Sequence, residues 1–132
     1  MPFDWSEYLK LAGELGKRMG EEGSLRSSIS RAYYYVYHLA LQRAQGNNFK
    51  PLSGEGTHTQ LWRCLSDSPE PDCRRLAEIA SRLKEKRERA DYNPHFLRIQ
   101  EEVPELLIDA QNFAALLRKL PERHPDPKSR RR

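Results

Sequence analysis

The sequence predicts an all-α fold, an up-and-down helical bundle of four long helices and one short one. Three observations predict it. Apolar residues recur at three- and four-residue steps through most of the 132 residues. No stretch alternates apolar and polar side chains as a half-buried strand does. The breaks between periodic stretches are short and rich in Gly, Pro and Asn, so consecutive helices pack as antiparallel neighbours.

In the first helix Trp5, Tyr8, Leu9, Ala12, Leu15 and Met19 line one face, and Gly20 and Gly23 end it. The second runs from about Ser24 to Gln45, with Leu25, Ile29, Ala32, Tyr33, Val36, Leu39 and Ala40 on a broad stripe. "GNNFKPLSGEG" follows as a loop. A short third helix runs from Thr57, read as its cap, to Leu65, where "SDSPEP" stops it. Pro71 or Asp72 opens the fourth, in which Leu76, Ala77, Ala80, Leu83, Arg87 and Ala90 share a face. "DYNPHF" breaks it, because Pro94 disfavours helix at Asn93. The fifth has the cleanest stripe, from Val103 to Leu120, with Pro104 read into its first turn and Pro121 at its end.

Composition narrows the class. The chain fits one domain, with 37% apolar and 32% charged residues, so burial comes from stripes on amphipathic helices. No run is apolar enough to span a bilayer, and the opening "MPFDWSEYLK" has no secretory pattern, which predicts a cytoplasmic protein with no membrane partner. Cys64 and Cys73 have no Cys or His at zinc spacing and read as two reduced structural thiols. Residues 121–132 hold five Lys/Arg and two Asp/Glu, a net +3 of the chain's +4, leaving the first 120 residues at +1. The expected division is a bundle over residues 1–120 and a basic, Pro/Arg-rich flexible tail over 121–132 that serves solubility.

There is no glycine-rich phosphate loop, no His-Glu-x-x-His, no Glu-x-x-His pair and no Cys/His zinc set. The expectation is therefore no cofactor and no metal.

Four tyrosines crowd one turn of the second helix, in "SSISRAYYYVYH". At roughly 100° per residue Tyr33 and Tyr37 fall on the core face, Tyr34 with Arg31 and His38, and Tyr35 with Ser28 and Leu39. Arg31 then needs a partner among core-facing neighbours, and Asp91, in "RERADYNPHF", is the expected one, with Tyr34 nearby and its hydroxyl hydrogen-bonded. Arg87 and Asp91 stand one helical turn apart and form an alternative pair. His38 and His58 read as packing or surface residues, and His124 lies in the tail.

"SISRAYYYVYHLA", a following loop with a His in "THTQLW", and "KRERADY" before a final amphipathic helix together resemble the HEPN superfamily (higher eukaryotes and prokaryotes nucleotide-binding domains). The similarity is to the small prokaryotic branch with Ser-x-x-Arg-Ala-Tyr-Tyr and Arg-x-x-Ala-Asp-Tyr, over residues 4–120. The resemblance implies a helical bundle, often a homodimer, associated with toxin-antitoxin pairs and minimal nucleotidyltransferases. It implies nucleotide or RNA binding by Arg31, Tyr34, Asp91 and Tyr92. Several members are metal-independent ribonucleases with an Arg, a short spacer and a His, and Arg89 and His95 fit that spacing. This chain departs from the pattern at Ala90 after the Arg and Pro94 before the His, and Arg87 heads the Arg-x-x-Ala-Asp-Tyr string, so either arginine fits.

The implied chemistry is coherent. RNA carries its own nucleophile in the 2′-OH, so a site needs a base, for which His95 is the candidate, and a cation for the developing phosphorane, for which Arg87 or Arg89 serves. The resulting expectation is a toxin-type ribonuclease; the alternative is a non-catalytic nucleotide-binding module that acts with a nucleotidyltransferase or antitoxin.

Overall fold

The computed structural model describes residues 2–129 as an all-α bundle of five helices. They are α1 (Ser6–Leu15), α2 (Glu22–Gly46), α3 (Thr57–Ser66), α4 (Pro71–Tyr92) and α5 (Ile99–Lys119). No strand occurs among the described residues. Helix α2 is the centre, packed against α1, α4 and α5, while α3 lies mainly on α4. Trp5 meets His38 and Ala12 meets Ser28, so α1 and α2 run antiparallel; Arg26 meets Ala90, which sets α4 antiparallel to α2.

The expected division of lengths is corrected: three helices are long, and α1 is as short as α3, ten residues each. The first helix stops at Leu15, not Met19. Gly16 is where it meets its neighbours: a Cβ there would lie 3.0 Å from Val103 Cγ1 and 3.1 Å from Ser28 Oγ. Ser28 in turn donates to the Ala12 carbonyl at 2.6 Å, a bond buried between α1 and α2.

Two other boundaries move. Gly56, not Thr57, occupies the N-cap of α3. Helix α5 begins at Ile99, so Pro104 sits inside the helix and not in its first turn. The bond that Pro104 cannot donate would go to the Gln100 carbonyl, and both residues are exposed, where solvent serves that acceptor.

The core is one cluster. Leu25, Ile29, Tyr33 and Val36 of α2 meet Leu61 and Leu65 of α3, Leu76 and Leu83 of α4, and Val103 and Phe113 of α5. Tyr33 is fully buried and Tyr37 is 7% exposed, as the periodicity predicts; Tyr35, at 6%, is buried as well. Cys73 is buried and is not joined to Cys64 by a disulfide.

The segment expected to be a loose tail from residue 121 is tied to the bundle as far as Pro125. Arg43 donates to the carbonyls of Leu117, Leu120, Pro121 and His124, and Asn47 Nδ2 to that of Glu122. Pro125 is fully buried. A single guanidinium satisfies helix-end carbonyls that composition alone leaves unassigned. Arg130, Arg131 and Arg132 lie outside the described residues. Among the described residues, no helix is long and apolar enough to cross a membrane.

Candidate functional site

Because α2 and α4 run antiparallel, Ser30, Tyr33 and Tyr34 on α2 come opposite Arg87 and Asp91 near the end of α4. Arg87 Nη1 lies 3.6 Å from Asp91 Oδ2, and Ser30 Oγ donates to the same oxygen at 3.4 Å. The guanidinium carbon sits 5.1 Å from the Tyr33 ring centroid and 5.6 Å from that of Tyr34, within cation–π range of both. The Arg87 side chain is 11% exposed, and its Nε is buried with no hydrogen-bond partner. Native structures pair most such donors, so this buried Nε is a local cost of the packing around Arg87.

Helix α3 brings His58 into the same cluster. Its Nδ1 is 2.6 Å from the Tyr33 hydroxyl, to which Trp62 Nε1 donates at 3.0 Å. The His58 ring lies flat on Tyr37 at 3.7 Å and edge-on to Tyr34 at 5.9 Å. Burial pushes the Tyr33 hydroxyl up to about 12, against the opposing pull of the Trp62 bond and the Arg87 charge. His58 is pushed below the usual imidazole value, first by burial and then by the positive charges of Arg87, Lys84 and His38.

A second stack adjoins the first. Trp5 covers His38 at 3.4 Å, and burial lowers the His38 pKa. Arg31 lies 4.8 Å over the Tyr8 ring and 5.8 Å from that of Tyr34.

Several sequence-predicted positions are therefore rearranged. Arg31 does not pair with Asp91; Arg87 takes that carboxylate from one turn away, and Arg31 is held by Tyr8 across the α1–α2 contact. Tyr34 is between the two arginines, but among the described residues its hydroxyl has no hydrogen bond. Tyr92, 78% exposed, stands outside the cluster. Arg89 lies 3.7 Å from Glu85 and 5.4 Å from the Phe96 ring centroid. His95 is exposed on the α4–α5 connection, where its backbone N–H donates to Asn93 Oδ1 at 2.9 Å. No hydrogen bond or ring contact joins Arg89 to His95 among the described residues.

Sequence reasoning missed three participants. His58 is four residues before Trp62, a spacing that puts both on one helical face, and that was its signal. Lys84 stands one turn before Arg87. Arg26 gave none: its Nη1 donates to the carbonyls of Ala90 at 2.9 Å and Asn93 at 2.6 Å, closing the end of α4 beneath Asp91. Among the described residues, no group of three His, Cys, Asp or Glu side chains converges to hold a metal ion.

The arrangement places a largely buried guanidinium beside a partly exposed tyrosine ring. Comparison with protein-family models, curated proteins and solved structures finds no match for this chain.

Proposed function

We propose that this protein is a HEPN-type bundle that binds the phosphate of a nucleotide or an RNA on the face shared by α2, α3 and α4. The observation that supports this reading is the Arg87 guanidinium, 11% exposed, flanked by two tyrosine rings and paired with one carboxylate at 3.6 Å. A guanidinium already desolvated on its apolar faces gains more from a phosphate oxygen than one in open water does. Arg31 and Lys84 add positive charge nearby, and the Tyr34 ring offers a surface on which a base stacks. Tyr33, Tyr34, Arg87 and Asp91, which carry the HEPN resemblance, share this cluster, and Arg31 adjoins it at the Tyr34 ring. The partner classes that go with it are a minimal nucleotidyltransferase or an antitoxin.

The test is titration of ADP and of a short oligouridylate into the wild-type protein and Arg87→Gln, at two salt concentrations. The expected result is binding that weakens with salt and at least about tenfold weaker binding by Arg87→Gln. Absence of wild-type binding to both probes at low salt sinks the proposal.

A second reading, metal-independent ribonuclease, is favoured by one observation. Arg89 and His95 both reach solvent at the α4–α5 corner, where Tyr92 and Leu97 are 78% and 84% exposed, and a homodimer through that corner would bring two copies of the pair together. The expected result under it is RNA cleavage in EDTA, lost in His95→Ala. Equal cleavage by that variant removes His95 from the chemistry.

A further inference from the structure

We infer that His58 is a phosphate-binding residue of this face, presenting its Nε2–H beside the Arg87 guanidinium to a phosphate ester whose base stacks on Tyr34. The inference rests on the nucleotide- or RNA-binding reading above.

It begins with a proton count at the Tyr33 hydroxyl. That group has one proton and is fully buried, and its neighbours are Trp62 Nε1 at 3.0 Å and His58 Nδ1 at 2.6 Å. An indole nitrogen only donates, so the hydroxyl accepts from Trp62. Were His58 Nδ1 protonated, the hydroxyl would accept a second time and bury its own proton without an acceptor, since no other hydrogen bond reaches it among the described residues. Tyr33 therefore donates to Nδ1, and the proton of neutral His58 resides on Nε2.

The neutral form fits its surroundings. Tyr33, Tyr34, Tyr37 and His38 face the imidazole from α2, and Lys84 and Arg87 from α4, with Asp91 beyond Arg87; burial and the three basic neighbours all oppose protonation of His58.

The geometry then constrains the ring that carries the Nε2 donor. Contact with Tyr37 at 3.7 Å and 5° between planes holds the ring flat. His58 and Arg87 flank the same two rings: His58 is 5.7 Å from Tyr33 and 5.9 Å from Tyr34, and Arg87 is 5.1 Å and 5.6 Å from them. Nε2 has no hydrogen bond within the described chain and is not among the enclosed unpartnered atoms, so it reaches solvent. One neutral N–H and one guanidinium beside the same Tyr34 ring are complementary to two oxygens of a phosphate. The same lock excludes His58 as a general base, because Tyr33 occupies its lone pair. His58 holds the anion and does not move a proton.

Long-range ¹H–¹⁵N NMR of the wild-type protein at neutral pH tests the lock directly. The expected pattern is a protonated Nε2 and an unprotonated Nδ1, with the Nε2 resonance shifted by inorganic phosphate and by ADP. A protonated Nδ1 tautomer, or a His58 resonance that saturating ADP leaves unmoved, overturns the inference. His58→Phe keeps the stack on Tyr37 and removes the donor, and is expected to bind ADP or an oligouridylate about tenfold more weakly. The stronger response of the two probes tells a free nucleotide from RNA. Unchanged affinity in His58→Phe with intact wild-type binding overturns this inference and leaves the binding proposal standing. Failure of the wild-type protein to bind either probe overturns both.

Discussion

Arg87 and Asp91 face each other across one turn of α4 at 3.6 Å, at the looser end of ion-pair distances, with the guanidinium 11% exposed and the carboxylate 31% exposed. The cation is mostly desolvated, and its counter-ion is only partly so. Under the phosphate-binding proposal, that asymmetry is what lets the guanidinium take a second anion.

Replacing Asp91 by Asn keeps the shape and removes the competing negative charge. Phosphate or ADP affinity is expected to rise by about threefold to tenfold, because the carboxylate is partly screened by water. Titration calorimetry against the wild-type protein checks this, and weaker binding by Asp91→Asn would assign the carboxylate to the ligand instead of to Arg87.

Tyr33→Phe removes one oxygen and disturbs two partners. The Trp62 indole N–H, on a residue 9% exposed, loses its acceptor, and His58 Nδ1 loses its donor. The expected loss is about 1–3 kcal/mol in chemical denaturation. A change under a few tenths would mean that the hydroxyl network is not structurally important.

The tyrosines set an alkaline limit. Tyr33 ionises at about 12 in the folded chain, and burial raises Tyr35 and Tyr37 as well. An unfolded tyrosine ionises near 10. The unfolded chain therefore releases these protons first, so the stabilisation is complete below about pH 10 and is lost as pH rises toward 12. Absorbance at the phenolate band should show at least one tyrosine that titrates only with unfolding.

His38 and His58 set the acidic one. Both are pushed below the usual value, His58 by burial and then by Arg87, Lys84 and His38, and His38 by burial. The unfolded chain then binds protons first as pH falls, so the stabilisation is present above about 6.5 and declines below it. Thermal unfolding at pH 7.5 and pH 5 should show the decline, and His58→Phe should reduce it. An equal decline in that variant would assign the effect to His38 or to carboxylates.

Arg26→Ala should loosen one end of the bundle. Its side chain, 18% exposed, bonds the carbonyls of Ala90 and Asn93 where α4 ends. Removing a cation that satisfies helix-terminal carbonyls is expected to lower stability by about 1–3 kcal/mol. Hydrogen exchange should accelerate at Ala90 to Asn93 before it does in the centre of α4.

The sequence by itself determined the all-α fold, the number of helices and the burial of Tyr33 and Tyr37, because a period of three to four apolar residues is a local property that one helix expresses alone. It also determined that Arg87 and Asp91 are neighbours, since both lie on α4, one turn apart. Only the tertiary structure decided that Arg31 turns to Tyr8 and away from Asp91, and that His58, carried by α3, bonds Tyr33. It alone brought Gly16, the C-cap of α1, close to Val103 and Ser28. It also tied the segment from Pro121 to His124 to Arg43 and Asn47. Each of these depends on the distance between two helices, which their packed side chains set jointly, and no single helix carries that quantity in its own pattern.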